Sequence, residues 1–239
     1  MMEHGKPIIY VKDVRKVYQM GDEEVVALKR INLKIYKGEV CCIFGTSGSG
    51  KSTLLNQLAG MEKPTQGQVF IRGKNISRMG EEELAAFRQE HMSFIFQSYN
   101  LLPSMTAVEN VAMPLMFKGM DRKKREAMAE EMLKRVGLSH RLHHYPSQMS
   151  GGQQQRAGIA RAFVSRPEVV FADEPTGNLD SKTAWETIGI MRKMCEKYPQ
   201  TMLVVTHDEK IAQTADRILI SRWKTGIGIK SCFWPLQRW

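Results

Sequence analysis

Gly45-Thr46-Ser47-Gly48-Ser49-Gly50-Lys51-Ser52 fits the pattern G-x-x-x-x-G-K-[ST] at every fixed position. A glycine-rich loop of this kind turns its backbone N–H groups toward a polyphosphate. Lys51 is then placed to reach the outer phosphates, and the Ser52 hydroxyl to hold Mg²⁺. The flanks fit the same reading. Val40-Cys41-Cys42-Ile43-Phe44 is a short apolar run of the buried-strand type, and residues 52–59 have helical apolar spacing that stops at Gly60. A strand, a glycine loop and a helix start together make an anion site, because the helix start offers N–H groups and a positive dipole end.

The chain has 239 residues, enough for one large domain or two lobes, and 42% of them are hydrophobic, which excludes a disordered polymer. No apolar run has the length of a membrane-spanning helix, and Met1 to Lys12 lacks the apolar stretch of a signal peptide. The expectation is a soluble cytoplasmic chain that meets a membrane only through a partner. Cys41, Cys42, Cys195 and Cys232 form no C-x-x-C pair, so no metal-ligand set and no disulfide framework is expected. The formal charge of +10 admits nucleic acid or an anionic surface as a partner. Much of it is interleaved with acid, as in Asp121-Arg122-Lys123-Lys124-Arg125-Glu126, the pattern of solvated helix faces. No zinc-finger spacing and no aromatic-basic RNA motif occurs, and nucleic acid is not expected as a partner.

Along the chain, strands are expected at Ile8–Val11, Val25–Leu28, Ile31–Ile35, Val40–Phe44, Gln68–Ile71 and Met92–Phe96. The alternation in Ile31–Ile35 marks a half-buried antiparallel strand. Helical spacing covers Glu81–Glu90, then Thr106 to Gly137 with a break at Pro114, and then Gln153–Val164. Val169–Ala172 and Met202–Val205 are continuous apolar strands, joined by a helix over Ser181–Lys197. The class is α/β, with an antiparallel part at the N-terminus and a mostly helical insertion over about 98–164 within a single domain of residues 1–220.

Two further stretches carry chemistry. Val169-Val170-Phe171-Ala172-Asp173-Glu174 ends an apolar strand in two carboxylates. Asp173 is suited to Mg²⁺, and Glu174 to polarising an attacking water. Ser150-Gly151-Gly152-Gln153 opens a helix with the same small residues as a phosphate-facing terminus. Here the sequence resembles the ATP-binding cassette (ABC) ATPases, whose signature is Ser-Gly-Gly-Gln. Gln97 in Phe94-Ile95-Phe96-Gln97 resembles their Q-loop, Gly177-Asn178-Leu179-Asp180 their D-loop, and His207 in Val205-Thr206-His207-Asp208 their switch histidine. Tyr18 stands where their adenine-stacking aromatic lies. The likeness covers roughly residues 8–220. Leu101-Leu102-Pro103, residues 106–111, Pro114-Leu115 and Gln153-Gln154-Gln155-Arg156 are similar to the lipoprotein-release and macrolide-export group, LolD and MacB.

That resemblance implies an ABC cassette with a mixed core sheet, an N-terminal antiparallel β subdomain and an inserted helical signature subdomain. It implies ATP and Mg²⁺ as cofactors and a homodimer that forms on ATP binding. Gly45, Thr46, Ser47, Gly48, Ser49, Gly50, Lys51, Ser52 and Thr53 would hold the phosphates in cis, with Tyr18 on the adenine. Ser150, Gly151, Gly152 and Gln153 would meet the γ-phosphate of the partner copy's nucleotide. Ser52, Gln97 and Asp173 would organise Mg²⁺. Glu174 would be the general base, His207 would orient it, Lys51 would stabilise the transferred phosphoryl, and Asp180 would couple the two sites. The motor would lie on the inner face of the cell membrane, bound to an integral permease. Other readings remain: a cassette driving a signalling membrane protein, or a soluble cassette acting on nucleic acid. The 99 positions from Lys51 to Ser150 hold no coiled-coil insertion, which disfavours the latter, and a plain P-loop kinase or GTPase leaves Ser150–Gln153 and His207 unexplained. After Ile220 the likeness ends. The stretch Arg222 to Trp239 has three of the four tryptophans and no acidic residue, with Thr225-Gly226 as an expected turn and Ile227–Ile229 as an expected strand.

Overall fold

The computed structural model describes residues 5–220 and the backbone strand at 230–232. Contacts divide the chain into two compact units, Met1–Arg88 with Thr201–Trp239, and Gln89–Gln200.

The first unit contains two sheets. In the antiparallel one, β1 (Ile9–Met20) pairs with β2 (Glu23–Ile35) on one side and β4 (Gln66–Ile71) on the other, and β5 (Lys74–Asn75) follows β4. Ile31, Leu33 and Ile35 point inward and the residues between them outward, as their alternation predicts. β1 and β2 are longer than the short runs expected. Register shifts between Val11 and Val17 let charged residues sit within one continuous ladder. The second sheet has the order β10 (Lys230–Cys232), β9 (Arg217–Ile220), β3 (Val40–Phe44), β8 (Thr201–Thr206). β3 runs parallel to β8 and β9, and β10 is antiparallel to β9, so the sheet is mixed. Val40–Ile43 and all of β8 are buried, which is why both read as unbroken apolar runs. The thiols of Cys41 and Cys42 are part of this core, and burial pushes Cys42 up to about 12. Between the sheets in sequence lies α1 (Lys51–Leu58), and α2 (Glu81–His91) ends this stretch. The turn and strand expected at 225–229 lie outside the described residues.

The second unit pairs β6 (Met92–Phe96) with β7 (Val169–Asp173) in parallel, and Phe94 stacks on Phe171 at 5.5 Å. Four helices surround this pair in sequence: α3 (Ala107–Phe117), α4 (Arg122–Arg135), α5 (Gly151–Val164) and α6 (Ser181–Lys197). Pro114 was expected to break the first of these and does not; it lies inside α3. Its ring removes only one hydrogen bond near the end of a helix anchored by the Thr106–Glu109 capping box. The break falls at Gly119, φ 72, and Asp121 then caps α4. Met132, Leu133 and Val136 are buried as their spacing predicts, with Met128 half-buried.

Candidate functional site

The phosphate-loop residues begin where β3 ends. Phe44 pairs with Thr206 in the parallel register, so Gly45 and His207 leave neighbouring strand ends at the same level. The loop turns through Gly48, φ 71, and Gly50, φ 80, conformations open to glycine without a Cβ clash. Gly50 is the N-cap of α1 and no side chain caps that helix. By contrast α3, α4, α5 and α6 each begin with a side chain that accepts their leading N–H groups. An uncapped helix start, preceded by a glycine turn, presents backbone donors and the positive dipole end to an anion. Lys51 is 5% exposed, and its Nζ donates to the Thr46 carbonyl at 2.9 Å, folded over the loop. Thr46, Ser47 and Ser52 are exposed, and Thr53 is half-buried on α1.

Tyr18 lies in the same unit, on β1. Its hydroxyl donates to Glu62 Oε2 at 2.7 Å, and Lys16 Nζ covers its ring at 5.0 Å from the centroid. Burial pushes the Glu62 carboxyl up, but hydrogen bonds from Tyr18, Asn56 and Lys16 outweigh it and hold the group below the ordinary range. His207 is exposed, and the next residue, Asp208, caps the short helix α7 (Glu209–Ala212).

The remaining predicted residues belong to the second unit. Phe96 pairs with Asp173, so Gln97 and Glu174 leave adjacent parallel strands side by side. Glu174 adopts φ 43, a left-handed conformation that a non-glycine residue keeps only when its surroundings impose it. A turn follows, closed by the Gly177 N–H on the Glu174 carbonyl at 3.0 Å. Asn178 exchanges two hydrogen bonds with Gln97. Asp180 caps α6 by accepting from the N–H groups of Lys182 and Thr183, and the hydrogen bond from the Thr183 side chain, ahead of these backbone bonds, holds its carboxyl below the ordinary range.

Ser150 and Gln153 form a capping box at α5: the Ser150 N–H donates to Gln153 Oε1 at 3.0 Å, and the Gln153 N–H to Ser150 Oγ at 3.4 Å. The two glycines between them are needed by packing inside the chain. A Cβ at Gly151 would lie 2.8 Å from the Tyr99 hydroxyl, and one at Gly152 would lie 2.6 Å from Thr183 Cγ2. Tyr99 and Asn100 are both left-handed, φ 59 and 49, and the Arg161 guanidinium accounts for this by donating to both their carbonyls.

Three positions stand out here that sequence reasoning gave no role. Gln155, on α5, is fully buried and donates to the Pro175 carbonyl. Asn110 is fully buried in α3 and bonds the backbone of Leu102, Met105 and Thr106, fixing the loop after Gln97. Glu62 receives Tyr18. Each lies in a stretch whose sequence gives no hint of the partner. Near that loop, α3 and α4 line a cleft of about 240 Å³ with Met105, Met113, Met116, Glu109, Arg122 and Arg125. Leu102 and Met116 are 41% and 40% exposed, whereas Leu101 and Met105 are half-buried.

As donors for a divalent cation, the Asp173 carboxylate, the Gln97 amide oxygen and the Ser52 hydroxyl are hard oxygen ligands of the kind Mg²⁺ takes alongside phosphate. Asp173 ends β7 half-buried and pairs with Phe96, and Gln97 is the next residue along that neighbouring strand, so the donor chemistry fits the ion.

The family model described as ABC transporter matches residues 28–177. The lipoprotein-releasing system ATP-binding protein LolD of Acinetobacter baylyi is 47% identical over 216 residues, 90% of this chain and 95% of LolD. The macrolide export ATP-binding/permease protein MacB of Shigella flexneri is 45% identical over 89% of this chain, which spans 33% of MacB. Among solved structures, a dimeric post-hydrolysis ATP-binding cassette, MJ0796, bound to ADP and Pi, superposes with a TM-score of 0.86 at 40% identity, covering 94% of this chain and 98% of that one.

Proposed function

The chain belongs to the ABC transporter family, and from that premise we propose that two copies close head to tail on two ATP molecules and drive a separate membrane permease. It is the ATP-binding and ATP-hydrolysing component of a transporter. The observation that carries the reading is the start of α1 behind the Gly45–Ser52 loop, which has no side-chain cap and follows a glycine turn, whereas α3, α4, α5 and α6 each begin with a capping side chain.

In this proposal the loop's N–H groups and Lys51 hold the β- and γ-phosphates, and Thr53 lies on the helix behind them. Tyr18 gives adenine an aromatic face on the side away from Lys16. Asp173, Gln97 and Ser52 would hold Mg²⁺, which supplies charge neutralisation on the phosphates when bound. Glu174 accepts a proton from the attacking water, with His207 steadying the γ-phosphate and the base. Ser150, Gly151, Gly152 and Gln153 receive the γ-phosphate bound by the partner copy, and Asp180 joins the two sites. ATP thus favours the closed pair and hydrolysis releases it, a population shift set by differential contacts.

No helix among the described residues is long and apolar enough to cross a membrane. LolD is named as the ATP-binding protein of a releasing system, and MacB as a joined ATP-binding and permease protein. In this proposal a permease helix docks in the α3–α4 cleft, with Met105 and Met116 as apolar anchors and the exposed Leu102 as a further one outside the cleft's lining, and the motor works on the inner face of the cell membrane. The test is cross-linking in membranes from Ser98→Cys and Ser104→Cys. Efficient links to an integral membrane protein are expected. Links only to soluble proteins or nucleic acid would overturn the permease assignment.

A further inference from the structure

In the proposed dimer, the start of α5 and the general base of one chain serve different nucleotides. Ser150 and Gly152 meet the nucleotide held by the partner copy, whereas Glu174 acts on the nucleotide held by its own loop. Gln155 links the two within one chain. It lies just over one turn into α5, is 0% exposed, and its Nε2 donates to the carbonyl of Pro175, the residue that follows Glu174. Glu174 itself needs support, because its φ of 43 is a conformation that contacts must hold.

The far end of this linkage is stiff. Gly151 and Gly152 are packed closely on Tyr99 and Thr183, so that a Cβ would lie 2.8 Å from the Tyr99 hydroxyl or 2.6 Å from Thr183 Cγ2 and push that side chain aside. A displacement at the start of α5 is therefore carried along the helix rather than absorbed locally. The other half of the Gln155 amide makes no polar contact: Oε1 is buried without a hydrogen-bond partner among the described residues. An apolar side chain of the same length would fill that space without desolvating an acceptor. What the amide contributes is its bond to the Glu174–Pro175 turn.

We propose that Gln155 is a positioning residue that transmits phosphate capture at the start of α5 to the Glu174–Pro175 turn, so that occupancy of one nucleotide site sets the base of the other. The proposal rests on the reading of the site given above. Nothing in it requires Gln155 to touch nucleotide.

The test uses the full chain with Gln155→Met, which keeps length and apolar volume and deletes the donor. ATP affinity should stay within about twofold, the melting temperature should not fall, and ATP-driven dimerisation in the Glu174→Gln background should persist, while kcat falls about tenfold or more. A kcat within about twofold of wild type overturns the proposal. So does a fall in kcat matched by lost dimerisation and a lower melting temperature, which would make Gln155 merely structural. A second measurement leaves Gln155 in place. In Glu174→Gln, ATP should slow amide exchange over residues 176–178, and adding Ser150→Arg should abolish that slowing while nucleotide still binds. Slowing that survives Ser150→Arg overturns the proposal even if Gln155→Met fails to fold. Wild type and Glu174→Gln are assayed alongside: a wild type without turnover defeats the reading of the site and this proposal with it, whereas full turnover unaffected by Gln155→Met defeats this proposal alone.

Discussion

Asn178 and Gln97 hold each other through two hydrogen bonds. Asn178 Nδ2 donates to the Gln97 backbone carbonyl at 3.0 Å, and Gln97 Nε2 donates to Asn178 Oδ1 at 3.2 Å. A Cβ at Gly177 would lie 2.8 Å from the same Nε2, so the amide nitrogen is enclosed on that side. With its nitrogen engaged, Gln97 has its oxygen left for the proposed Mg²⁺.

Asn178→Ala should therefore leave nucleotide affinity at the loop within about twofold, lower kcat about 5- to 20-fold, and raise the Mg²⁺ concentration needed for half-maximal turnover. Asn178→Asp should be worse, because it sets a carboxylate oxygen against the Gln97 carbonyl. ATPase assays across a Mg²⁺ titration check both. An unchanged Mg²⁺ dependence in Asn178→Ala would show that the pair does not orient Gln97.

Much of the scaffold was legible in the sequence. Val40–Phe44 and Ser181–Lys197 have the limits their apolar patterns predict, because parallel strands buried on both faces and a long amphipathic helix leave unmistakable periodicities. Pro114 misled because a proline signals a break from local stereochemistry alone, whereas the capping box at Thr106 and the packing of Val108, Val111 and Leu115 hold the helix through it. The partners of Gln155, Asn110 and Tyr18 were not legible. Each bond joins residues through the tertiary fold or to a backbone carbonyl, and a carbonyl has no sequence signature. The left-handed Glu174 was likewise hidden, since the strain is imposed by the turn and not chosen by the residue type.

Gly152 has two separable duties, and stability measurements can part them. Gly152→Ala drives a methyl group into Thr183 Cγ2, an overpacking worth about 1–3 kcal/mol. Adding Thr183→Ser removes the opposing methyl and keeps the hydroxyl. The double variant should recover most of the lost stability in urea unfolding. Equal destabilisation with and without Thr183→Ser would place the strain elsewhere.

Tyr18 and Glu62 give a pH dependence with a definite sign. Glu62 is held below its ordinary value of 4.5 in the folded chain. Its contribution is therefore fully present above that value and is lost as pH falls through the lower folded value. Tyr18→Phe deletes the phenolic hydrogen bond, so its destabilisation relative to wild type should be greatest near neutral pH and shrink below pH 4.5. Urea unfolding from about pH 7 down to about pH 3 follows it; a gap that widens as pH falls would contradict the assignment. The same variant keeps the ring, so ATP affinity should hold, whereas Tyr18→Ala should weaken ATP and GTP alike.

The central claim, that the start of α5 completes a nucleotide site on a second copy, is tested most directly by the mass of Glu174→Gln in solution, measured by light scattering with and without ATP. Glu174→Gln should bind ATP without turning it over and shift to twice the monomer mass on its addition, and Ser150→Arg in that background should stay monomeric while still binding nucleotide at the loop. A strictly monomeric Glu174→Gln at high protein and ATP concentrations, or a dimer indifferent to Ser150→Arg, would contradict the account.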